Sequence, residues 1–78
     1  MKITDLKQLG DGEVYQAWVQ RGQSVEPTDS LFTPNKDGEA TTSIPDLNGV
    51  DVVMVSTEPR GGSQQPTTAP IITIEMPS

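Results

Sequence analysis

At 78 residues, with neither Cys nor His, the chain has room for one small domain whose core leaves only about 3–5 kcal/mol of net stability, and no disulfide, thiolate or imidazole can reinforce it. Five basic residues against eleven acidic ones give a net charge of −6, with the acids scattered from Asp5 to Glu75. Such a field repels phosphates and anionic head groups, which argues against nucleic-acid binding and electrostatic membrane docking.

No run approaches the roughly 18 apolar residues that a membrane span requires, and residues 1 to 20 lack the basic start and apolar middle of a signal peptide. Seven Gly and seven Pro cut the chain into short pieces, none of which shows apolar residues at helical spacing over three turns. Strands are therefore expected and helices beyond a single turn are not.

In chain order, Lys2 to Leu6 can contribute a first strand through Ile3 and Leu6. Val14 to Gln20 is rich in β-forming residues, with Tyr15, Ala17 and Val19 on one face and Val14, Gln16 and Trp18 on the other. Both faces carry a large side chain, so periodicity leaves open which is buried. Ser24 to Asp29 reads as a loop. Leu31-Phe32-Thr33 and Ala40 to Ile44 flank the turn Pro34-Asn35-Lys36-Asp37-Gly38, whose Asp-Gly pair supplies the positive φ of a hairpin connection.

Val50 to Thr57 is apolar on both alternations through Met54, as expected of a central strand covered on both faces. Gly61 to Pro70 reads as a loop long enough to cross between sheets. Ile71 to Met76 alternates, placing Ile72, Ile74 and Met76 inward and Thr73 and Glu75 in water. These elements predict an all-β chain: a small antiparallel β-sandwich, immunoglobulin-like or an open barrel, of about five to seven short strands, forming one domain over residues 1–78.

Two segments stand out chemically. In Glu58-Pro59-Arg60-Gly61-Gly62-Ser63-Gln64-Gln65-Pro66-Thr67 a carboxylate ends the central strand, a proline stops the ladder, and two glycines permit backbone shapes closed to other residues. Glu58 is placed to accept hydrogen bonds from the amides of the Gly61-Gly62-Ser63 turn, as an internal clasp or as a site for an outside ligand. Upstream, Tyr15 and Trp18 are two of only three aromatics. Core packing competes here with an exposed platform that stacks on a glycan or a partner. Phe32 reads as core, and Met54 and Met76 as gap fillers.

Tyr15-Gln16-x-Trp18, Leu31-Phe32 before a polar turn, and Glu58-Pro59-x-Gly61-Gly62-Ser63 followed by Pro66-Thr67 together resemble the extracytoplasmic C-terminal domain of the anti-sigma-K factor family, from about Leu6 to Met76. Ser30 stands where a Gly is expected before the Phe-containing strand, and Thr68 replaces the Gly that often follows Pro-Thr. The resemblance implies an outer β domain of a membrane-anchored inhibitor, at the C-terminal end of a longer parent whose anchor and exporting segment lie upstream of Met1. It implies location on the outer face of a bacterial membrane. It also implies a role in shielding or presenting the membrane-proximal stalk to envelope proteases or sensor proteins, whose action releases the sigma factor. The helices that hold a sigma factor are missing, so direct sigma-factor contact by this domain is not expected.

Read by chemistry alone, catalysis has little support, because the acids lie on separate turns with no recognisable pairing. No cofactor or metal is expected. Asn35-x-Asp37-Gly38 matches part of a calcium loop but lacks its flanking ligands and closing Glu, and Gly61-Gly62 lacks the Lys of a phosphate loop. The alternatives to the regulatory reading are a stand-alone extracellular carbohydrate- or protein-binding module using an exposed Trp18 or Tyr15, and a spacer that forms a homodimer through the edge strand Ile71 to Met76.

Overall fold

A computed structural model describes residues 2–41 and 48–76. Six strands are formed among them and no helix: β1 (Lys2–Ile3), β2 (Glu13–Arg21), β3 (Ser24–Phe32), β4 (Ala40–Thr41), β5 (Val52–Pro59) and β6 (Ile72–Glu75). They make a four-stranded antiparallel sheet in the order β3-β2-β5-β6 and a two-stranded ribbon of β1 and β4. The expected small all-β sandwich is therefore the observed architecture, open and without barrel closure.

The ambiguity of Val14 to Gln20 has a simple origin, since β2 is central and every residue from Tyr15 to Val19 is buried. Its pairing with β5 sets Tyr15 opposite Thr57, Ala17 opposite Val55 and Val19 opposite Val53. This face is apolar. Ile3 and Leu6 from the N-terminal segment close over Tyr15 and Val55, joined by Leu9, Phe32, Ala40 and Ile72. A second cluster of Val19, Val50 and Val53, with Met76 against it, fills the other end. The opposite face carries Gln16, Trp18, Ser56 and Glu58, all buried.

Three expectations are corrected. Ser24 to Asp29 is not a loop but most of β3, which pairs with β2 through the two-residue connection Gly22-Gln23, with Arg21 opposite Ser24. Gly22 at φ 60° opens that connection, the backbone signature of a hairpin turn whose first central residue is glycine. Pro27 fits because β3 is an edge strand, where a missing donor costs little, and the ladder slips there between Gln16 and Trp18. Thr28 Oγ1 donates to Ala17 O across the slip (2.6 Å) and accepts from Ser30 N, so Ser30 sits in an irregularity that its hydroxyl neighbour supports.

The second correction concerns the Asp-Gly turn. It forms, with Gly38 N donating to Asn35 O and Asn35 N to Glu39 O, but it does not join a hairpin. Phe32 stays with β2, whereas Ala40 pairs with Ile3 of β1, and the turn hands the chain from one layer to the other. Thr42 to Ile44 of the expected strand lie outside the described residues. Asn35 Oδ1 accepts from the amides of Asp37 and Glu39, so the partial calcium motif is a self-bonded turn. Third, Gly61 to Pro70 does not cross between sheets, because β6 returns antiparallel beside β5 in the same sheet.

The expected central strand Val50 to Thr57 appears as Val52–Pro59, paired on both sides. Ile72 of β6 and Met76 just after it pack inward as expected, but Ile74 remains 37% exposed, because among the described residues β6 is an edge of the sheet.

Gly38 is held at φ 77°, and a Cβ there would lie 2.8 Å from Leu6 O, whose own amide donates to Gly38 O at 2.9 Å. Left-handed strain and a backbone clash would add. Gly38→Ala is expected to lower stability by about 2–3 kcal/mol, read as a fall in melting temperature of roughly 10 °C or more. A melt within a degree or two of the wild type would show that the Leu6 approach is not fixed.

Candidate functional site

Gln16, Trp18 and Glu58 of the signature assemble on the polar face of the sheet, and β-strand periodicity explains why. Val14 pairs with Glu58, Gln16 with Ser56 and Trp18 with Met54, so the side chains of Gln16, Trp18, Ser56 and Glu58 project together. From there Trp18 Nε1 donates to Ser56 Oγ (2.8 Å), and Ser56 Oγ–H donates to Glu58 Oε2 (2.6 Å). Thr67 closes the chain of bonds from the loop side. Its amide lies 3.1 Å from both carboxylate oxygens and its hydroxyl donates to Oε1 at 2.7 Å.

The expected contact between Glu58 and the glycine-turn amides is corrected in detail. Gln16 receives the Ser63 amide (2.9 Å, to Oε1) and returns a bond from Nε2 to Ser63 O (3.1 Å), while Glu58 takes Thr67, Ser56 and the Ser63 side chain. Two clasps therefore fasten the loop: Gln16 on Ser63 and Glu58 on Thr67. Among the described residues no buried side-chain polar atom lacks a partner.

The backbone of the loop is shaped to fit. Gly62 N donates to Pro59 O across a turn that holds Gly61 at φ 95°, and Arg60 N reaches Gly12 O as the last rung beside β2. Gly62, at φ 84°, lies so near the sheet that a Cβ would stand 3.2 Å from Leu31 Cδ2 and 3.3 Å from Gln16 Oε1. Pro66 is exposed and fixes the approach to Thr67. Thr68, where a glycine was expected, donates its hydroxyl to Thr57 O (2.9 Å) and so adds a third fastening.

Tyr15 and Phe32 belong to the other face. Their rings lie 5.8 Å apart, and the Tyr15 hydroxyl donates to Lys7 O (2.8 Å), which pins the N-terminal segment over the apolar core. Burial pushes the Tyr15 phenol up, and the nearby Glu13 charge adds to this. With Trp18 1% exposed and Tyr15 2% exposed, neither ring presents a face to solvent, and the stacking-platform reading fails.

Glu58 is 2% exposed. Burial pushes its carboxyl up, but the hydrogen bonds from Ser56, Thr67, Ser63 and the Thr67 amide together outweigh that and hold it below its ordinary value. A carboxylate whose folded value is depressed contributes stability that is present above its unfolded value, about pH 4.3, and lost as pH falls through the folded value. Acid unfolding is therefore expected to begin below about pH 4.3. Denaturant melts between neutral and acid pH check this, and a midpoint that stayed flat through that window would remove Glu58 from the account.

Ser56 was not among the residues singled out from the sequence, although it links Trp18 to Glu58. The available signal was a serine two positions before Glu58 in an otherwise apolar strand, hence on the same face. Beside the clasp lies a shallow cleft of about 260 Å³, floored by Gln16 and walled by Thr28, Leu31, Gly62 and Ser63. A larger groove of about 500 Å³ runs between residues 4–9 and Ile71-Ile72 on the apolar side. Among the described residues no three acidic side chains come together as a metal site, and no helix is long and apolar enough to cross a membrane.

An open antiparallel sandwich in which buried Trp18, Ser56 and Glu58 form a clasp that Thr67 closes from the loop defines a small β domain. Comparison with known families matches the one described as anti-sigma-K factor rskA, C-terminal, over residues 1–71, and the chain belongs to that family. Comparisons with curated proteins and with solved structures gave no match.

Proposed function

We propose that this domain is the extracytoplasmic regulatory end of a membrane-anchored anti-sigma factor, and that its folded state governs access of envelope proteases to the adjoining stalk, hence release of the sigma factor. The observation that carries the proposal is family membership over residues 1–71. The geometry supports a part played by folding and not by chemistry. Tyr15, Gln16, Trp18 and Glu58 are buried, and among the described residues every buried side-chain polar atom has a partner. In this reading the domain makes no contact with the sigma factor, binds no nucleic acid and catalyses nothing.

Loosening the domain would then expose the stalk. Fixing the loop of residues 60–70 by three side-chain fastenings makes that loosening depend on few bonds, because the small core leaves only about 3–5 kcal/mol in reserve. The test begins with the reading frame upstream of Met1. An open frame running back through an apolar segment of about 20 residues into a helical domain supports the proposal. In that parent, Glu58→Gln should lower the amount of intact protein and raise sigma-dependent transcription. Unchanged levels of both, with the isolated variant domain measurably destabilised, would overturn it.

A further inference from the structure

The two edges of the four-stranded sheet are unlike. β3 is blunted by Pro27, by the ladder slip between Gln16 and Trp18, and by the charged pair Arg21–Glu26, features that discourage another strand from adding there. β6 has none of these. Residues 71–76 contain no proline and no lysine, and they expose Ile71 (51%) and Ile74 (37%).

The ladder fixes which β6 backbone groups are available. Met76 N donates to Asp51 O, and the register continues through Val53 opposite Ile74 and Val55 opposite Ile72. In an antiparallel pair, bonded and non-bonded positions alternate, so Ile72, Ile74 and Met76 point their amides and carbonyls at β5. Thr73 and Glu75 point theirs outward. Four backbone groups therefore face solvent from an edge strand with an apolar row on one face.

We infer that β6 is a homodimer edge, on which a second copy of this chain adds its own β6 antiparallel, with Ile74 meeting Ile74 on the two-fold axis. This register bonds Thr73 to Glu75 of the other copy at both ends. On the apolar face it sets Ile74 on Ile74 and Ile72 on Met76, continuing the row that bridges the two core clusters. On the opposite face each Glu75 meets a threonine, so no carboxylate faces a carboxylate. Neighbouring registers do worse. An axis at Glu75 puts the two acids opposite each other, and an axis at Thr73 needs the Ile71 amide, which already donates to Val55 O at 2.8 Å. The result is one eight-stranded sheet across two copies. It extends the proposed function without depending on it.

Each copy carries −6, so long-range repulsion opposes pairing, and salt, by screening it, should strengthen the dimer. A contact of one short strand is small and makes a weak, concentration-dependent complex. Sedimentation of the isolated chain should show the apparent mass rising from 8.4 kDa toward twice that with concentration, and more readily at high salt. Ile74→Lys and Ile74→Glu should each be monomeric, since each places like charges across the axis. Mixed in equal amounts they should associate again, because only a 74-to-74 contact brings the two opposite charges together. Unchanged Trp18 emission in both variants would show the fold intact. A wild type that remains at 8.4 kDa up to about 1 mM at every salt, or a mixture that stays monomeric while the wild type pairs, would overturn the inference.

Discussion

Glu58→Gln is expected to lower stability by about 2–3 kcal/mol, a fall in melting temperature of roughly 10–20 °C in a chain this small. The substitution keeps the shape of the side chain and changes only its hydrogen-bonding sense. Both carboxylate oxygens accept: Oε2 from Ser56, Oε1 from the Thr67 hydroxyl, and both from the Thr67 amide. An amide has one accepting end. With its oxygen toward Ser56, its NH2 faces the Thr67 amide and hydroxyl, of which only the hydroxyl can turn to accept; with its oxygen toward Thr67, the buried Ser56 hydroxyl loses its acceptor, and either way the bonds to a charged carboxylate are lost. The effect should converge with that of acid. Protonating the wild-type carboxyl imposes a similar conflict, so the wild-type melting temperature should fall toward that of the variant as pH drops below about 4.3. Paired thermal melts at neutral and acid pH check this. A variant as stable as the wild type at neutral pH would mean that the loop is held by Gln16 and Thr68 without Glu58.

Trp18→Ala is expected to leave the isolated chain unfolded. Truncating a buried Trp costs about 3–5 kcal/mol, which equals the whole reserve of a domain of this size. The indole is 1% exposed, and its Nε1 donates to Ser56, which in turn donates to Glu58. Trp18→Phe separates the two contributions. It keeps most of the ring and removes the donor, so it should fold with a melting temperature roughly 5–15 °C below the wild type. Far-UV circular dichroism distinguishes the cases. A cooperative melt of Trp18→Ala near the wild-type temperature would show that the loop collapses onto the cavity, and that Trp18 is less central than its burial indicates.

Both substitutions act on the same face, where Gln16, Ser56 and Glu58, the buried polar residues among those described, are gathered. The apolar face is built from ordinary strand alternation in β2 and β5 with a cover supplied by Ile3 and Leu6. Small losses on that face can be repacked. On the clasp face they cannot, because a hydrogen bond tolerates little displacement before its donor becomes an unmatched buried group.

The sequence by itself determined the all-β class, the central strand after Val50, the inward set Ile72 and Met76, and the glycine turn after Glu58, since each follows from period-two alternation, β-branched composition and the φ freedom of glycine. It also carried the three linked motifs that mark the family. Only the tertiary structure decided the rest. It showed that β2 is buried on both faces, that Gly22-Gln23 outranks Asp37-Gly38 as the hairpin connection, and that Ser24 to Phe32 is a strand despite Pro27. It also showed that Gln16, and not Glu58, holds the Ser63 amide. The physical reason is common to all of these. Local pattern fixes what a segment can be, but which neighbour supplies its hydrogen bonds is settled between residues such as Gln16 and Ser63, far apart in the chain and brought together only when the sheet has closed.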